Sequence, residues 1–305
     1  MSLLVVGSVA LDSVTTPLAS GDEVLGGSAS FFRWWPSLIT PVRLVAVVGE
    51  DFPAEHIELL RSRGVDLEGL QQAPGRTFRW RGRYLPNFVD RETLDTQLNV
   101  FEHFHPRLPA RWRDSRYVFL GNIDPQLQLD VLQQVQRPAL VGCDTMNFWL
   151  REPCLAALKQ VLRHTGVLFL NDEEARLLSG QHSLVKAAAA IRLLGVEHVV
   201  IKRGDAGAML FDEGGPFWAP AFPLEHVVDP TGAGDCFAGG FMAYLAHTGD
   251  LGLANIRRAM VFGSATASFA VEDFSVDRFR SVTRADLTQR CAEFARLVHF
   301  EPVQL

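Results

Sequence analysis

Six short apolar runs punctuate the chain: LLVVGSV (3–9), VRLVAVVG (42–49), YVFLGN (117–122), ALVGCD (139–144), VLFLN (167–171) and HVVIKRG (198–204). They are rich in β-branched residues, are closed by Gly, Asp or Asn, and alternate with stretches of helical period. That rhythm predicts βαβ units and a largely parallel sheet flanked by helices. The clearest helix is PAEHIELLRSRG (53–64): Pro53 near its start, Glu55 and Glu58 early, Arg61 and Arg63 late, and Gly64 placed to end it. In a sheet of this kind a ligand is expected beyond the carboxyl ends of the strands.

Two regions break the alternation, Leu11 to Leu25 and Arg76 to Phe101. The second reads TFRWRGRY, a turn-like LPNFVDR, then TLDTQLNVF. This predicts two strands of a small sheet, and a discontinuous β lid at about 10–26 and 75–104. Arg79, Arg81 and Arg83 alternate with Phe78, Trp80 and Tyr84, which puts the basic and aromatic side chains on opposite faces. An Arg face over a pocket would suit a phosphorylated or acidic substrate; an aromatic face would suit a nucleoside base or another apolar group. Gln97 and Asn99 are polar candidates on the partner strand.

With 305 residues and 48% hydrophobic content, the chain reads as one domain spanning 1–305, with the lid as its appendage. The formal charge is −6 and lysine occurs only at Lys159, Lys186 and Lys202, so nucleic acid is not an expected partner. The apolar start, Ser2 to Ala10, has no basic region before it and is stopped by Asp12, which fits a buried strand better than a signal peptide. No run approaches membrane-spanning length. Cys143, Cys154, Cys236 and Cys291 are scattered, which argues against a disulfide framework or a zinc site and for a reducing, cytoplasmic setting. His103 and His105 alternate across Phe104 with no further ligand pattern.

The densest chemistry lies in VVDPTGAGDCFAGGF (227–241). A dinucleotide fingerprint would need Gly or Ala at Phe237, and a Walker loop would need Lys where Gly240 stands. A nicotinamide oxidoreductase and a P-loop are thereby disfavoured. What remains is a turn, Thr231 to Gly234, feeding the first turn of a helix whose unpaired N–H groups can face an anion. Asp235 then sits beside that anion, placed to accept a proton from an attacking hydroxyl. Gly239 and Gly240 inside the helix cost about 1 kcal/mol each relative to Ala, which predicts close packing of another element or a ligand there.

DPTGAGD and its small-residue helix resemble the signature of the ribokinase-like (PfkB-type) carbohydrate and nucleoside kinases. VVGSVALD, LGGSAS, VGEDFPAEHIELLRSRGVD, NDEE and VVIKRGDAGAML occur in the family's order along most of the chain. The resemblance implies a three-layer α/β/α fold with a small β-sheet lid, and transfer of the ATP γ-phosphoryl group to a hydroxyl, a primary alcohol, of a sugar or nucleoside. It makes Asp235 the base and the amides of Gly232, Ala233 and Gly234 the hole for phosphoryl charge. It assigns Asn171 and Glu174 to Mg²⁺ and its waters, although Asn followed by Glu three residues on is also a capping box. It aligns Asp229 and Thr231 with a monovalent-cation site such as K⁺. It gives Asp12, Gly26 and Gly27 to the sugar. Lys202 and Arg203, followed by Gly204, end a strand on the ligand side of the sheet and are candidates for the nucleotide phosphates, with Asp144 and Asn147 near the same rim. One departure is Phe31, where relatives often carry Asn, which puts an ordinary ribose contact in doubt. Trp34 and Trp35 read as packing. A sugar-phosphate kinase and a catalytically idle sugar- or nucleoside-binding regulator are the alternatives, and the resemblance allows a homodimer through lid residues such as Trp80 and Phe101.

Overall fold

A computed structural model describes residues 2–299 and 301 of the chain. Thirteen strands form two sheets among these residues: β1 (Leu3–Val6), β2 (Ala10–Thr15), β3 (Ser20–Gly26), β4 (Val42–Gly49), β5 (Val65–Ala73), β6 (Phe78–Tyr84), β7 (Arg91–Gln97), β8 (Tyr117–Leu120), β9 (Leu140–Asp144), β10 (Val167–Asn171), β11 (His198–Lys202), β12 (Ala208–Asp212) and β13 (Gly215–Ala219). The large sheet runs β13-β12-β11-β10-β9-β8-β1-β4-β5 and is parallel except for β12 and β13 at one edge. Its central strands bury both faces. Leu3 and Val5 join one apolar cluster, Leu4 and Val6 the other, so helices cover the sheet on both sides.

The six runs became β1, β4, β8, β9, β10 and β11. β5 (VDLEGLQQA) is too polar to stand out, because it is an edge strand buried mostly on one side. The β12–β13 hairpin was missed for a similar reason: it is short and broken by glycines. The predicted helix at 53–64 spans Ala54–Ser62, and Gly64 follows with φ +70°.

The small sheet has the order β3-β2-β6-β7. Its last strand stops at Gln97, earlier than the pattern through Phe101 suggested. Residues Asn99–His103 turn into a 3-10 helix, and Phe101 stacks on Phe78 at 5.4 Å and on Phe104 at 5.6 Å. Burying those rings outweighs extension of the strand.

The helix Ala233–Thr248 lies across the large sheet. Phe237 and Phe241 meet Phe169 edge-on, and a Cβ at Gly142 would come within 2.8 Å of Met242 Sδ. Its glycines admit protein. A Cβ on Gly239 would lie 2.1 Å from Phe32 O, and one on Gly240 would lie 2.2 Å from Thr266 Oγ1. Of the two explanations for those glycines, close packing of other elements is the one that applies.

Candidate active site

Gly232 caps the helix with φ 73°, a left-handed conformation open to glycine. A Cβ there would fall 2.1 Å from the Phe31 ring. Phe31 is therefore the floor of the turn, only 3% exposed. Ala233 N–H donates to Pro230 O at 3.2 Å. This corrects the expected donor set. The Pro230–Ala233 turn uses the Ala233 amide, while the amides of Gly232, Gly234 and Asp235 meet no backbone acceptor among the described residues.

Lys202, at the carboxyl end of β11, extends to the same turn. Its Nζ donates to Asp144 Oδ2 at 2.8 Å and lies 3.0 Å from where a Gly234 Cβ would be. Burial alone would lower the Lys202 ammonium pKa, but the charges of Asp144, Glu174 and Asp235 overcome it and hold it above the usual lysine value. Asp144 ends β9, is buried, and accepts Thr145 N–H at 2.9 Å. Asn171 ends β10 beside Lys202 in register. Three adjacent parallel strands thus deliver Asp144, Asn171 and Lys202 to one rim.

Asp235 lies in the first turn of the helix, and its carboxyl is pushed up from the ordinary aspartate range. Burial is the main cause and the Asp144 and Asp12 charges add to it, while Lys202 and Arg91 oppose. Asn171 and Glu174 do form a capping box: Glu174 N–H donates to Asn171 Oδ1 at 2.7 Å and Asn171 N–H to Glu174 Oε2 at 2.8 Å. Glu174 is nevertheless held high, at about 7, by burial against the pull of Lys202 and the Asn171 amide.

In the small sheet, Asp12 and the glycine pair form one unit. A Cβ on Gly26 would come 2.0 Å from Asp12 Oδ2, and the Asp12 carboxylate accepts from the Gly27 amide. Gly27 has φ 92° and would carry a Cβ 2.6 Å from Ser8 O. Burial lifts Asp12 to about 7 despite the Gly27 bond, with Asp229 adding and Arg91 subtracting. Asp229 accepts from Thr231 N–H at 2.9 Å and from Ser275 N–H at 3.0 Å, and its carboxyl is raised by burial. Thr231 Oγ1 is buried without a partner among the described residues.

Arg91 escaped the sequence reading. It opens β7 and influences Asp12, Glu174 and Asp235 at once. Only the register of β6 and β7, shifted by a bulge between Arg81 and Gly82, brings it to the site face opposite Tyr84. The same register decides between the two faces of β6. Trp80 pairs with Asp12 across the parallel β2–β6 ladder, so the aromatic series shares the Asp12 side. The arginines point away: Arg79 pairs with Glu23 at 2.6 Å and Asp51 at 2.8 Å, Arg83 with Glu92 at 2.6 Å, and Arg81 with Asp22 at 3.6 Å. Gln97 pairs opposite Arg79 on that outer face, and Asn99 Nδ2 donates to Thr77 O.

Arg203 lies over the Trp218 ring at 5.9 Å, and Gly204 has φ 55° at the start of a short 3-10 turn. Asn147 is exposed at the start of the 3-10 helix Asn147–Leu150 after β9. His103 and His105 are exposed, and no group of three or more His, Cys, Asp or Glu among the described residues could hold a metal alone. All four cysteines are free, and no helix among the described residues is long and apolar enough to cross a membrane.

Residues 25–281 match the model of the pfkB family of carbohydrate kinases. The chain is 29% identical to the cytidine kinase of Thermococcus kodakarensis, over 80% of this chain and 88% of that one. It is 33% identical to the 2-dehydro-3-deoxygluconokinase of Escherichia coli K12, over 73% of this chain and 80% of the relative. Its fold superposes on the nucleoside kinase of Burkholderia thailandensis, solved in complex with ADP-inosine, with a TM-score of 0.80 at 18% identity, covering 98% of this chain and 97% of that one. With an anion-ready helix start, a carboxylate beside it and a second carboxylate on a glycine pair, the chain belongs to the pfkB family and is a phosphotransferase acting on a sugar or a nucleoside.

Proposed function

We propose that the protein transfers the γ-phosphoryl group of ATP to a primary hydroxyl of a nucleoside, with Asp235 as general base. The observation that carries the acceptor class is the β2–β6 register. Trp80 is paired with Asp12, so a ribose whose hydroxyls donate to Asp12 would have an aromatic face on the same side for its base. The cytidine kinase relative and the solved nucleoside kinase support the same class.

In this reading Asp235 takes the proton as the acceptor oxygen bonds to the γ-phosphorus and the bond to the leaving ADP oxygen breaks. The free amides of Gly232, Gly234 and Asp235, with Lys202 over Gly234, hold the phosphoryl charge. Asp12 and the Gly26–Gly27 turn hold the sugar, and the small sheet closes over it as a lid. Arg203 and Gly204 lie beside the nucleotide. The residues fit a divalent cation. Asp12, Asp144, Glu174, Asp229 and Asp235 outnumber Lys202 and Arg91, and Glu174 is a buried carboxylate whose charged form lacks solvent. Asn171 and Glu174 would hold Mg²⁺ through its waters, and the ion neutralises phosphate charge when bound. Asp229, through its carboxylate, and Thr231, through its hydroxyl oxygen, would serve a monovalent cation such as K⁺.

A sugar-acid acceptor is the second reading, favoured by Arg91, the one cation on the Asp12 face of β7. Mass spectrometry of products from Mg-ATP with nucleosides, pentoses, hexoses and sugar acids separates the two. A nucleoside monophosphate as the main product is expected. A phosphorylated sugar acid as the main product overturns the first reading, and no phosphorylated product across the panel overturns both.

A further inference from the structure

Arg33 is fully buried, and its Nε, Nη1 and Nη2 have no hydrogen-bond partner among the described residues. The adjacent Trp34 is also buried and leaves its Nε1 without an acceptor. Four donor nitrogens on two consecutive residues are thus unanswered. A guanidinium offers five N–H groups and no acceptor, and a buried charge without a partner is among the costliest features a fold can carry. The Trp34 ring, 4.6 Å from Arg33 Cζ, offers a cation–π contact but takes none of the in-plane N–H groups.

A second guanidinium stands beside the first. Arg63 lies over the same ring at 5.5 Å, anchored by its Nη2 to Phe279 O at 3.1 Å and Arg280 O at 2.7 Å. Burial and the Arg63 charge bring Arg33 down to about 9, which leaves it protonated at neutral pH. Glu55, His56, Glu58, Leu59, Ser62 and Arg280 wall a cavity of about 350 Å³, and Arg280 Nε also pairs with Asp277 at 3.2 Å. Arg63, which shares the Trp34 ring with Arg33 and donates to Arg280 O, links the buried guanidinium to the residue that lines that cavity. None of these residues belongs to the site around Asp235.

We infer that Arg33, Arg63 and Arg280 form a second anion site, for a tetrahedral phosphate group, free or carried on a small metabolite, beside the cavity between the Ala54–Ser62 helix and the Arg278–Arg280 turn. Planar guanidinium donors match phosphate oxygens in pairs, and the cavity volume suits a small metabolite. Occupancy bears on the catalytic turn through the chain itself. Arg33 follows the Ser28–Phe32 helix, and within that helix the Phe31 ring supports Gly232.

The test is thermal unfolding with inorganic phosphate in one arm and glycerol 3-phosphate in the other, at chloride-balanced ionic strength. Wild type, Arg33→Met and Lys202→Met are compared, because the catalytic turn also attracts phosphate. At millimolar ligand the wild-type Tm should rise by about 2 °C or more in at least one arm. That rise should survive in Lys202→Met and vanish in Arg33→Met, whose ligand-free Tm should equal or exceed that of wild type because an unpaired buried charge has gone. A larger rise with glycerol 3-phosphate marks a carried phosphate; a larger rise with inorganic phosphate marks the free ion. No rise in either arm, or a rise lost in Lys202→Met and kept in Arg33→Met, overturns the site. Should Arg33→Met not fold, Arg63→Gln and Arg280→Gln provide the check. Each should weaken phosphate binding about tenfold by calorimetry while leaving ADP release unchanged, and unaltered affinity in both contradicts the proposal.

Discussion

Gly27 and Gly232 each cap a helix with a positive φ, 92° in one and 73° in the other, each without a side-chain cap, and each has a carboxylate close by, yet the two turns are completed differently. At Gly27 the helix-start amide faces the Asp12 carboxylate, which lies against Gly26 and is held down by that amide. That turn is satisfied from within and presents an acceptor, the chemistry that sugar hydroxyls need. At Gly232 the support comes from the Phe31 ring, Lys202 stands over Gly234, and the amides of Gly232, Gly234 and Asp235 meet no backbone acceptor among the described residues. That turn is left open for an anion. One backbone device therefore gives an acceptor site or a donor site, depending on whether a resident carboxylate occupies the amides.

The most severe way to break this division is Asp235→Asn. It should lower kcat by about 10²–10⁴ while leaving ADP affinity largely intact by calorimetry, because the turn amides remain. Next is Lys202→Met, expected to cost about 10²–10³ in kcat/KM for ATP. It carries a pH signature. Lys202 holds the Asp235 carboxyl down against burial and the Asp144 charge, so its loss should move the acid limb of the rate profile to higher pH. An unmoved limb would separate Lys202 from the base. Gly26→Ala and Gly232→Ala sharpen the comparison at lower cost. Each new methyl collides with a different neighbour, Asp12 in one and Phe31 in the other. The first should raise KM for the acceptor by roughly tenfold and the second KM for ATP by a similar factor, with strain at the positive-φ Gly232 also lowering Tm. The same substrate affected by both would dissolve the distinction.

A further effect is on stability. Asp12 is held at about 7 in the folded chain, above its unfolded value, so its stabilising contribution is complete at low pH and is lost as pH rises from about 4 through 7. Asp12→Asn should therefore match wild type near pH 4 and gain about 4 kcal/mol by pH 8, the cost of ionising a carboxyl held at about 7 with the Gly27 bond already included. Urea midpoints across pH measure it, and a gain that does not change with pH would contradict it.

The runs that became β1, β4, β8, β9, β10 and β11 were legible because central parallel strands are apolar on both faces, and DPTGAGD was legible because turn and helix start are local. What lies across the sheet was not. Asp144 looked like a rim residue until Lys202 was found bonded to it, fifty-eight positions further along the chain. Arg91 carries no motif, and its place depends on a bulge that sequence periodicity hides. That Phe31 supports Gly232 was hidden as well, because the contact comes from helix packing. The two faces of β6 were read correctly as basic and aromatic. Which one shares the Asp12 side was decided only by pairing with β2.

The central claim is that Asp12 and the Trp80 face together select a nucleoside. The most direct measurement is the rate of ADP formation from Mg-ATP with a matched pair of acceptors, a ribonucleoside such as cytidine or inosine and free ribose. A kcat/KM at least about tenfold higher for the nucleoside is the expected result, the worth of one stacked base at roughly 1–2 kcal/mol. Equal or faster turnover of ribose would contradict it.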